Sequence, residues 1–329
     1  MEPEILGIRR PVRLGVLDVG SNTVNLVVAE ADSGLPLPVH AWEQRPRLAH
    51  RLPADGTIGA EALDRMIVSV REAAAEAHRV GVNRMFAYTT AVVRDAPNRD
   101  AVLTEVRKAT GVRLGTITGI EDARLTFLAA RRWLGWQAGP MLMVDIGGGC
   151  LEVAFGRDRL PESALSLPLG AGRLTREFLH ADPPSPREVR RLSRHVRERF
   201  GEVAARTSWE EPHTSVAASK TFQQLARLTG APPQRLGPFV PRMIEARDLR
   251  PWIKRLAVMP SPTRARLKGV SPHRARQILA GAIVAHEVMR RLGIGSLRIC
   301  PWGLREGILL RELESRQPPL ADASWVPWE

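Results

Sequence analysis

Two short segments carry residue types suited to gripping a phosphate. Asp18-Val19-Gly20-Ser21-Asn22 and Asp145-Ile146-Gly147-Gly148-Gly149 each end an apolar run with an aspartate and follow it with a glycine-containing turn. A phosphate needs several backbone N–H donors at close range, and glycine permits that approach because it has no Cβ to collide with the ligand. A carboxylate at the edge of such a loop suits Mg²⁺, a hard cation taken up through one or two carboxylates together with substrate phosphates. Asp18 and Asp145 are the candidates for that role. Either loop alone reads as an ordinary hairpin turn. Recurring at the same place in two halves of the chain, they read as two jaws that could grip one phosphate chain.

The elements around the loops follow from hydrophobic pattern. Arg13 to Val19 and Asn25 to Glu30 are strands flanking the first turn. After a Pro/Gly-rich passage from Gly34 to Pro38, Leu63, Ile67, Val70, Ala74 and Ala77 mark one face of a helix. Met85 to Thr90 is a strand, Asn98 to Thr110 a helix stopped by Gly111, Val112 to Thr118 a strand, and Glu121 to Leu134 a helix. The pattern then restarts: Met141 to Ile146 and Leu151 to Phe155 are strands around the second turn. Ser185-Pro186 starts a basic helix running to about Arg206, and Val216 to Ala218 is a short strand leading through Ser219-Lys220 into a helix ending near Gly230. Ala231 to Pro241 reads as irregular. Ser271-Pro272 opens a helix, Ser296 to Cys300 is a strand, and Arg305 to Glu314 the last helix. This is an α/β chain with an internal duplication, divided at Gly135 to Pro140. A tail from about residue 317, with three prolines, is expected to be poorly ordered.

At 329 residues the chain exceeds the size at which single cores stop growing. No apolar run approaches the length needed to cross a bilayer, and Met1 to Pro11 lacks the apolar core of a secretory signal, so a cytoplasmic protein without a membrane role is expected. Two cysteines, Cys150 and Cys300, exclude a disulfide framework. The net charge of +13 is carried by arginine, with lysine only at positions 108, 220, 254 and 268, and it suits a polyanionic ligand. Nucleic acid is disfavoured: there is no zinc finger, basic zipper or RNP-type strand, and aromatics are only 5%, too few for stacking platforms. The eight histidines show no metal-ligand spacing. The arginines of Arg187 to Arg199 read as a solvated helix face or as a tract that leads a polyanion inward.

Five segments in order, Asp18-Val19-Gly20-Ser21-Asn22-Thr23, Thr90-Ala91-Val92-Val93-Arg94, Gly119-Ile120-Glu121-Asp122-Ala123-Arg124, Asp145-Ile146-Gly147-Gly148-Gly149 and Leu304-Arg305-Glu306-Gly307, resemble exopolyphosphatases and guanosine pentaphosphate phosphohydrolases. The segments Ser166 to Leu174 and Ile299 to Trp302 look like the short, two-domain actinobacterial branch. The resemblance implies the actin-like ATPase fold, two ribonuclease-H-like domains with the active site in the cleft between them, here over 1–136 and 137–329. It also implies Mg²⁺-dependent hydrolysis of a terminal phosphoanhydride. Carried onto this chain, Ser21, Asn22, Gly147, Gly148, Gly149 and Cys150 contact phosphate, Arg94 neutralises the transferring phosphoryl, and Asp145 and Glu152 are metal ligands or their supports.

The family aligns its attacking water with a glutamate. This sequence has Asp122 at that position and Glu121 one residue earlier; aspartate is one methylene shorter. Cys150 stands where serine is usual, and Ala217-Ala218-Ser219-Lys220-Thr221 stands where many relatives have a glycine-rich turn, so that Ser219 and Lys220 take over phosphate binding. The expected activity is an exopolyphosphatase acting on inorganic polyphosphate. The alternatives are a guanosine pentaphosphate phosphatase, or a catalytically weakened regulator that binds polyphosphate or guanosine tetraphosphate. A homodimer is left open.

Overall fold

A computed structural model describes residues 12–31, 36–49, 52–53, 55–204 and 212–316. Met1 to Pro11, the residues from 317 on, His50 and the last residues expected in the basic helix lie outside these.

In the first half, β1 (Arg13–Val19), β2 (Val24–Glu30) and β3 (Pro38–Gln44) form an antiparallel meander. The helix α1 (Ala60–Arg79) leads to β4 (Arg84–Thr89), which lies parallel to β1. The short α2 (Ala91–Arg94) and α3 (Arg99–Thr110) lead to β5 (Gly115–Thr116), parallel to β4, and α4 (Gly119–Leu134) follows. Gly111 closes α3 at φ 73°, the left-handed conformation expected of a helix-ending glycine.

The second half repeats the plan. β6 (Met141–Ile146), β7 (Leu151–Gly156) and β8 (Ser163–Leu167) form another antiparallel meander. After α5 (Ala171–Phe178) and α6 (Pro186–Ala204), β9 (Thr214–Ala217) adds parallel to β6. Then come α7 (Lys220–Leu228), β10 (Met243–Glu245), α8 (Ala246–Ala257), α9 (Ser261–Arg264), α10 (Ile278–Arg291), β11 (Ser296–Ile299), parallel to β9, and α11 (Leu304–Arg316). The sheet orders are β3-β2-β1-β4-β5 and β10-β11-β9-β6-β7-β8. Each half therefore sets its third, second, first, fourth and next parallel strand side by side, with β10 an added antiparallel edge. Two such ribonuclease-H-like sheets make the actin-like ATPase fold.

Several elements differ from the sequence pattern. The strand expected over Val112 to Thr118 is reduced to Gly115–Thr116, with one further bond from Ile117 N–H to the Thr89 carbonyl at 3.3 Å, and Val112, Leu114 and Ile117 are buried on either side of it. Ser271-Pro272 caps only a 3-10 turn, and the helix begins at Ile278, where continuous burial starts. β3, β8, α5, β10 and α8 were not legible. β3 and β8 are outer strands with half-exposed faces, and α8 carries an internal proline, Pro251.

Strand alternation decides what each sheet covers. Leu17, Val19, Val24, Leu26 and Val28 face α1 and α3, whereas Leu14, Val16, Val27 and Ala29 face α11. In the second sheet Leu142, Val144, Ile146, Leu151 and Val153 face α5, α6, α7 and α10, whereas Met141, Met143 and Ala154 face α4. So α4, which precedes the 136/137 division, lies against the second sheet, and α11, which follows it, lies against the first. The two helices cross between the sheets at Gly307, where a Cβ would overlap the Leu125 carbonyl.

Candidate active site

The two loops are one hairpin built twice. Val19 pairs with Val24 and Ile146 with Leu151, so Asp18 stands opposite Asn25, and Asp145 opposite Glu152. Each turn is closed by the same backbone bond, Gly20 N–H to the Thr23 carbonyl and Gly147 N–H to the Cys150 carbonyl, both at 2.9 Å. The tips meet: a Cβ on Gly148 would stand 3.4 Å from Ser21 Cβ and Oγ. Gly149 abuts Ala91, and Gly170 lies on the Gly149–Cys150 backbone so closely that a Cβ would overlap it.

The strand period of two aims the carboxylates. Asp18 shares the face of Leu14 and Val16, toward α11; Asp145 and Glu152 share the face of Met143 and Ala154, toward α4. Asp122, in the first turn of α4, comes between them. Thr118 caps that helix by accepting from Glu121 N–H at 3.1 Å, and Thr126 Oγ1 donates to Asp122 Oδ1 at 3.2 Å. Glu121, the other candidate on this turn, is outside the site. Its half-exposed carboxylate pairs with Arg311 at 3.3 Å, because neighbours on a helix point about 100° apart.

The carboxyls crowd one another. Burial lifts Asp18 to about 6, against the pull of Arg305. Burial and then the Asp18 charge lift Asp122 to about 7, with Thr126 and Arg94 opposing. Burial and Asp122 hold Asp145 well above the ordinary range, and burial, Asp122 and Asp145 do the same to Glu152, which accepts from Ser166 Oγ at 2.8 Å. Asp18, Asp122 and Asp145 are each partly exposed, and Asp18 and Asp145 line a common cavity. The Asp18 Oδ1 atom is buried with no hydrogen-bond partner.

Arg94, Arg274 and Arg305 oppose this carboxylate charge without giving Asp18 Oδ1 a hydrogen bond, and a cation would satisfy that orphaned buried oxygen. Among the described residues no three His, Cys, Asp or Glu side chains are grouped to hold a metal by themselves. That is compatible with Mg²⁺, which takes one or two carboxylates and leaves its other positions to phosphate and water.

Most of the candidate site residues line three cavities, while Gly149, Glu121, Asp122 and Glu152 line none of these. Asp18, Asp145, Gly147, Ser219 and Lys220 line one of about 770 Å³. Ser21, Asn22 and Gly148 line a neighbour of about 800 Å³. Arg94 and Cys150 line a smaller one of about 310 Å³, joined there by Ser166. Arg94 is held by three groups: its Nε donates to Asp95 Oδ1 at 2.8 Å, Nη1 to the Ile117 carbonyl at 3.2 Å and Nη2 to Cys150 Sγ at 3.2 Å. Ser219 caps α7 by accepting from Phe222 N–H at 3.3 Å, which leaves Lys220 at the mouth of the helix.

Sequence reasoning gave no role to Arg274 or Arg305. Both line the carboxylate cavity with no hydrogen-bonded side-chain partner among the described residues, and their charges act on Asp145 and Asp18 respectively. Arg305 was visible within Leu304-Arg305-Glu306-Gly307; Arg274 had no signal beyond its charge. His273, beside Arg274, is pulled below the ordinary histidine range by burial and by Arg45.

The sequence pattern of the Ppx/GppA phosphatase family matches residues 27–316. An uncharacterized protein of Streptomyces coelicolor is 52% identical over 305 residues, 92% of this chain and 91% of that protein. Exopolyphosphatase 1 of Mycobacterium tuberculosis is 49% identical over 307 residues, 92% of this chain and 89% of that protein. The crystal structure of an Aquifex aeolicus Ppx/GppA member superposes with a TM-score of 0.78 at 25% identity, covering 94% of this chain and all of the other. An exopolyphosphatase from Cytophaga hutchinsonii, at 20% identity, shares the fold with a TM-score of 0.83 over 92% of this chain and 98% of its own.

Proposed function

The chain belongs to the Ppx/GppA phosphatase family, and on that premise we propose that it is an exopolyphosphatase, releasing terminal phosphate from inorganic polyphosphate by attack of water. The observation that carries this reading is the pair of matched hairpins, whose carboxylates stand around Asp122.

Phosphoryl transfer asks the protein for positioning and charge neutralisation more than for covalent chemistry. Backbone N–H groups of Gly148 and Gly149, with the side chains of Ser21 and Asn22, suit the oxygens of the terminal phosphate, while the Gly147 N–H closes the turn on the Cys150 carbonyl. Arg94, Lys220, Arg274 and Arg305 oppose its charge. Asp122 orients the water and takes its proton; a carboxyl raised to about 7 is matched to proton transfer near neutral pH. Asp18 and Asp145 would hold Mg²⁺, with Glu152 behind them, and the bound ion would neutralise charge on the bridging and terminal oxygens.

The test is phosphate release from polyphosphates of defined length, beside guanosine pentaphosphate and ATP, with Mg²⁺ and with excess chelator. Release from polyphosphate that stops in chelator is expected. Full activity in chelator would remove the metal from this reading, and release from guanosine pentaphosphate alone would replace the substrate.

A further inference from the structure

The second loop is held from behind by Gly170 and the first turn of α5. The Gly147 carbonyl accepts from Ala171 N–H at 3.0 Å, that of Gly148 from Arg173 N–H at 2.9 Å and that of Gly149 from Gly170 N–H at 3.2 Å. A trans peptide sets each carbonyl opposite the N–H of the next residue. The N–H groups of Gly148, Gly149 and Cys150 are therefore turned away from α5. The side chain of Arg173 adds a further bond to this support, from Nε to the Gly149 carbonyl at 3.2 Å.

The same guanidinium reaches the other half of the chain. Arg173 Nη2 donates to Asp95 Oδ2 at 2.6 Å, 78 residues away in sequence, while Asp95 Oδ1 accepts from Arg94 Nε at 2.8 Å. One carboxylate is thus shared between the arginine behind the second loop and the arginine assigned to the transferring phosphoryl. A guanidinium has five N–H groups. Arg94 gives one to Asp95, one to the Ile117 carbonyl and one to Cys150 Sγ, so one N–H remains on each of its terminal nitrogens. Three bonds fix the plane of the fork, and the two remaining donors take their direction from it.

An arginine followed by an aspartate does not make this arrangement by itself. Arg99 and Asp100, at the start of α3, form the same adjacent bond, Nε to Oδ1 at 2.9 Å, but the Asp100 side chain is 85% exposed and its second oxygen meets no hydrogen-bonding side chain among the described residues. What sets Asp95 apart is Arg173. The side chains of Asp95 and Arg173 are 38% and 26% exposed, which leaves their ion pair little weight in stability. A carboxylate with an arginine on each oxygen does, however, fix orientation, because charge-assisted bonds to a planar fork are directional.

We propose that Asp95 and Arg173 are positioning residues for phosphoryl transfer: they set Arg94 against the second loop so that its two remaining donors and the loop N–H groups meet the same phosphoryl. The inference rests on the exopolyphosphatase reading. An arginine aimed at the transferring group acts mostly in the transition state, so loss of its aim lowers kcat and leaves KM nearly unchanged.

The test measures kcat, KM and Tm on a polyphosphate of defined length for Asp95→Asn, Arg173→Gln and Arg173→Lys, with Asp100→Asn as the control, and repeats Asp95→Asn in an Arg94→Ala background. The first three should lose about tenfold to a hundredfold in kcat with KM within about threefold, and with Tm near wild type. Lysine should not rescue, since a point charge cannot serve Gly149 and Asp95 with the geometry of a fork. The control should match wild type, and in the Arg94→Ala background Asp95→Asn should cost nothing further, because Asp95 acts through Arg94. Full additivity in that background, full rescue by Arg173→Lys, a loss confined to KM or Tm, or a control that behaves like Asp95→Asn overturns the positioning role and leaves the activity standing. A wild type inactive on every polyphosphate refutes the activity instead. The ¹⁵N–¹H signal of Arg94 Nε, identified by its absence in Arg94→Lys, then decides the bridge: slow solvent exchange in wild type and fast exchange in Asp95→Asn and Arg173→Gln support it, and equal rates overturn it.

Discussion

The hairpin at Asp18 and the hairpin at Asp145 have one backbone and two chemistries. The first offers side chains, Ser21, Asn22 and Thr23, and sets its aspartate opposite a neutral Asn25 that donates to Thr23 Oγ1 at 2.9 Å. The second offers bare backbone, Gly147 to Gly149, and sets its aspartate opposite a second carboxylate, Glu152. Burial lifts Asp18 to about 6; burial and the Asp122 charge hold Asp145 well above the ordinary carboxylate range, and Asp145 in turn helps to raise Glu152. On the proposed function, the duplicated strand-turn-strand would set where a phosphate is gripped, and the residues at its tip and across its ladder with what.

The largest effect is expected where the two hairpins come together. Asp122→Asn should lower kcat by about 10² to 10⁴, whereas Glu121→Gln, which loses only an exposed pair with Arg311, should stay near wild type. Equal losses in single-turnover assays would mean that the carboxylates work jointly and that the hairpins do not share one base.

Next in size is the glycine asymmetry. Gly170→Ala drives a Cβ into the Gly149–Cys150 backbone, which has no room to give, while Gly20→Ala meets only the Thr23 carbonyl at 3.3 Å. Displacement of the second loop by about 1 Å should cost roughly 10²-fold in kcat, with a lower Tm; the first hairpin should tolerate its alanine within tenfold. The reverse ranking would show that the first loop holds the transferring phosphoryl.

Stability against pH separates the hairpins without any substrate. Asp18 and Asp122 ionise at about 6 and about 7 when folded and in the ordinary carboxylate range when unfolded. Between those values the folded protein carries the extra protons, so stability falls as pH rises and the loss from this pair is complete above about 7. Tm measured in chelator should therefore decline from pH 5 to 8, Mg²⁺ should offset the decline, and Asp122→Asn should flatten it. Asn25→Asp, which gives the first hairpin the carboxylate pair of the second, should steepen it; an unchanged slope would break the electrostatic half of the comparison.

The smallest effect is expected at Cys150, the counterpart of Thr23. Its thiol accepts from Arg94 at 3.2 Å, and Cys150→Ser supplies a better acceptor at the same place. A change in kcat/KM within about tenfold is expected. A larger gain would identify the thiol as what limits Arg94.

The sequence alone determined the duplication, the two turns and their aspartates, because strand period, apolar runs and glycine at a tight turn are local properties read within a few residues. It also narrowed the candidate for the catalytic carboxylate to Glu121 or Asp122 and favoured Asp122, because Ala123 and Arg124 keep the family register. The tertiary structure decided which of the two meets the other buried carboxyls, since only the packing of α4 between the sheets sets its rotation. It decided as well that α4 and α11 each cover the sheet of the opposite half. It brought Arg305 and Arg274 to the carboxylates, and Arg45, Arg47, Arg176 and Arg276 to the neighbouring cavity. Charges scattered over hundreds of residues leave no mark of their meeting in the sequence, because long-range electrostatics and close packing act through space and not along the chain.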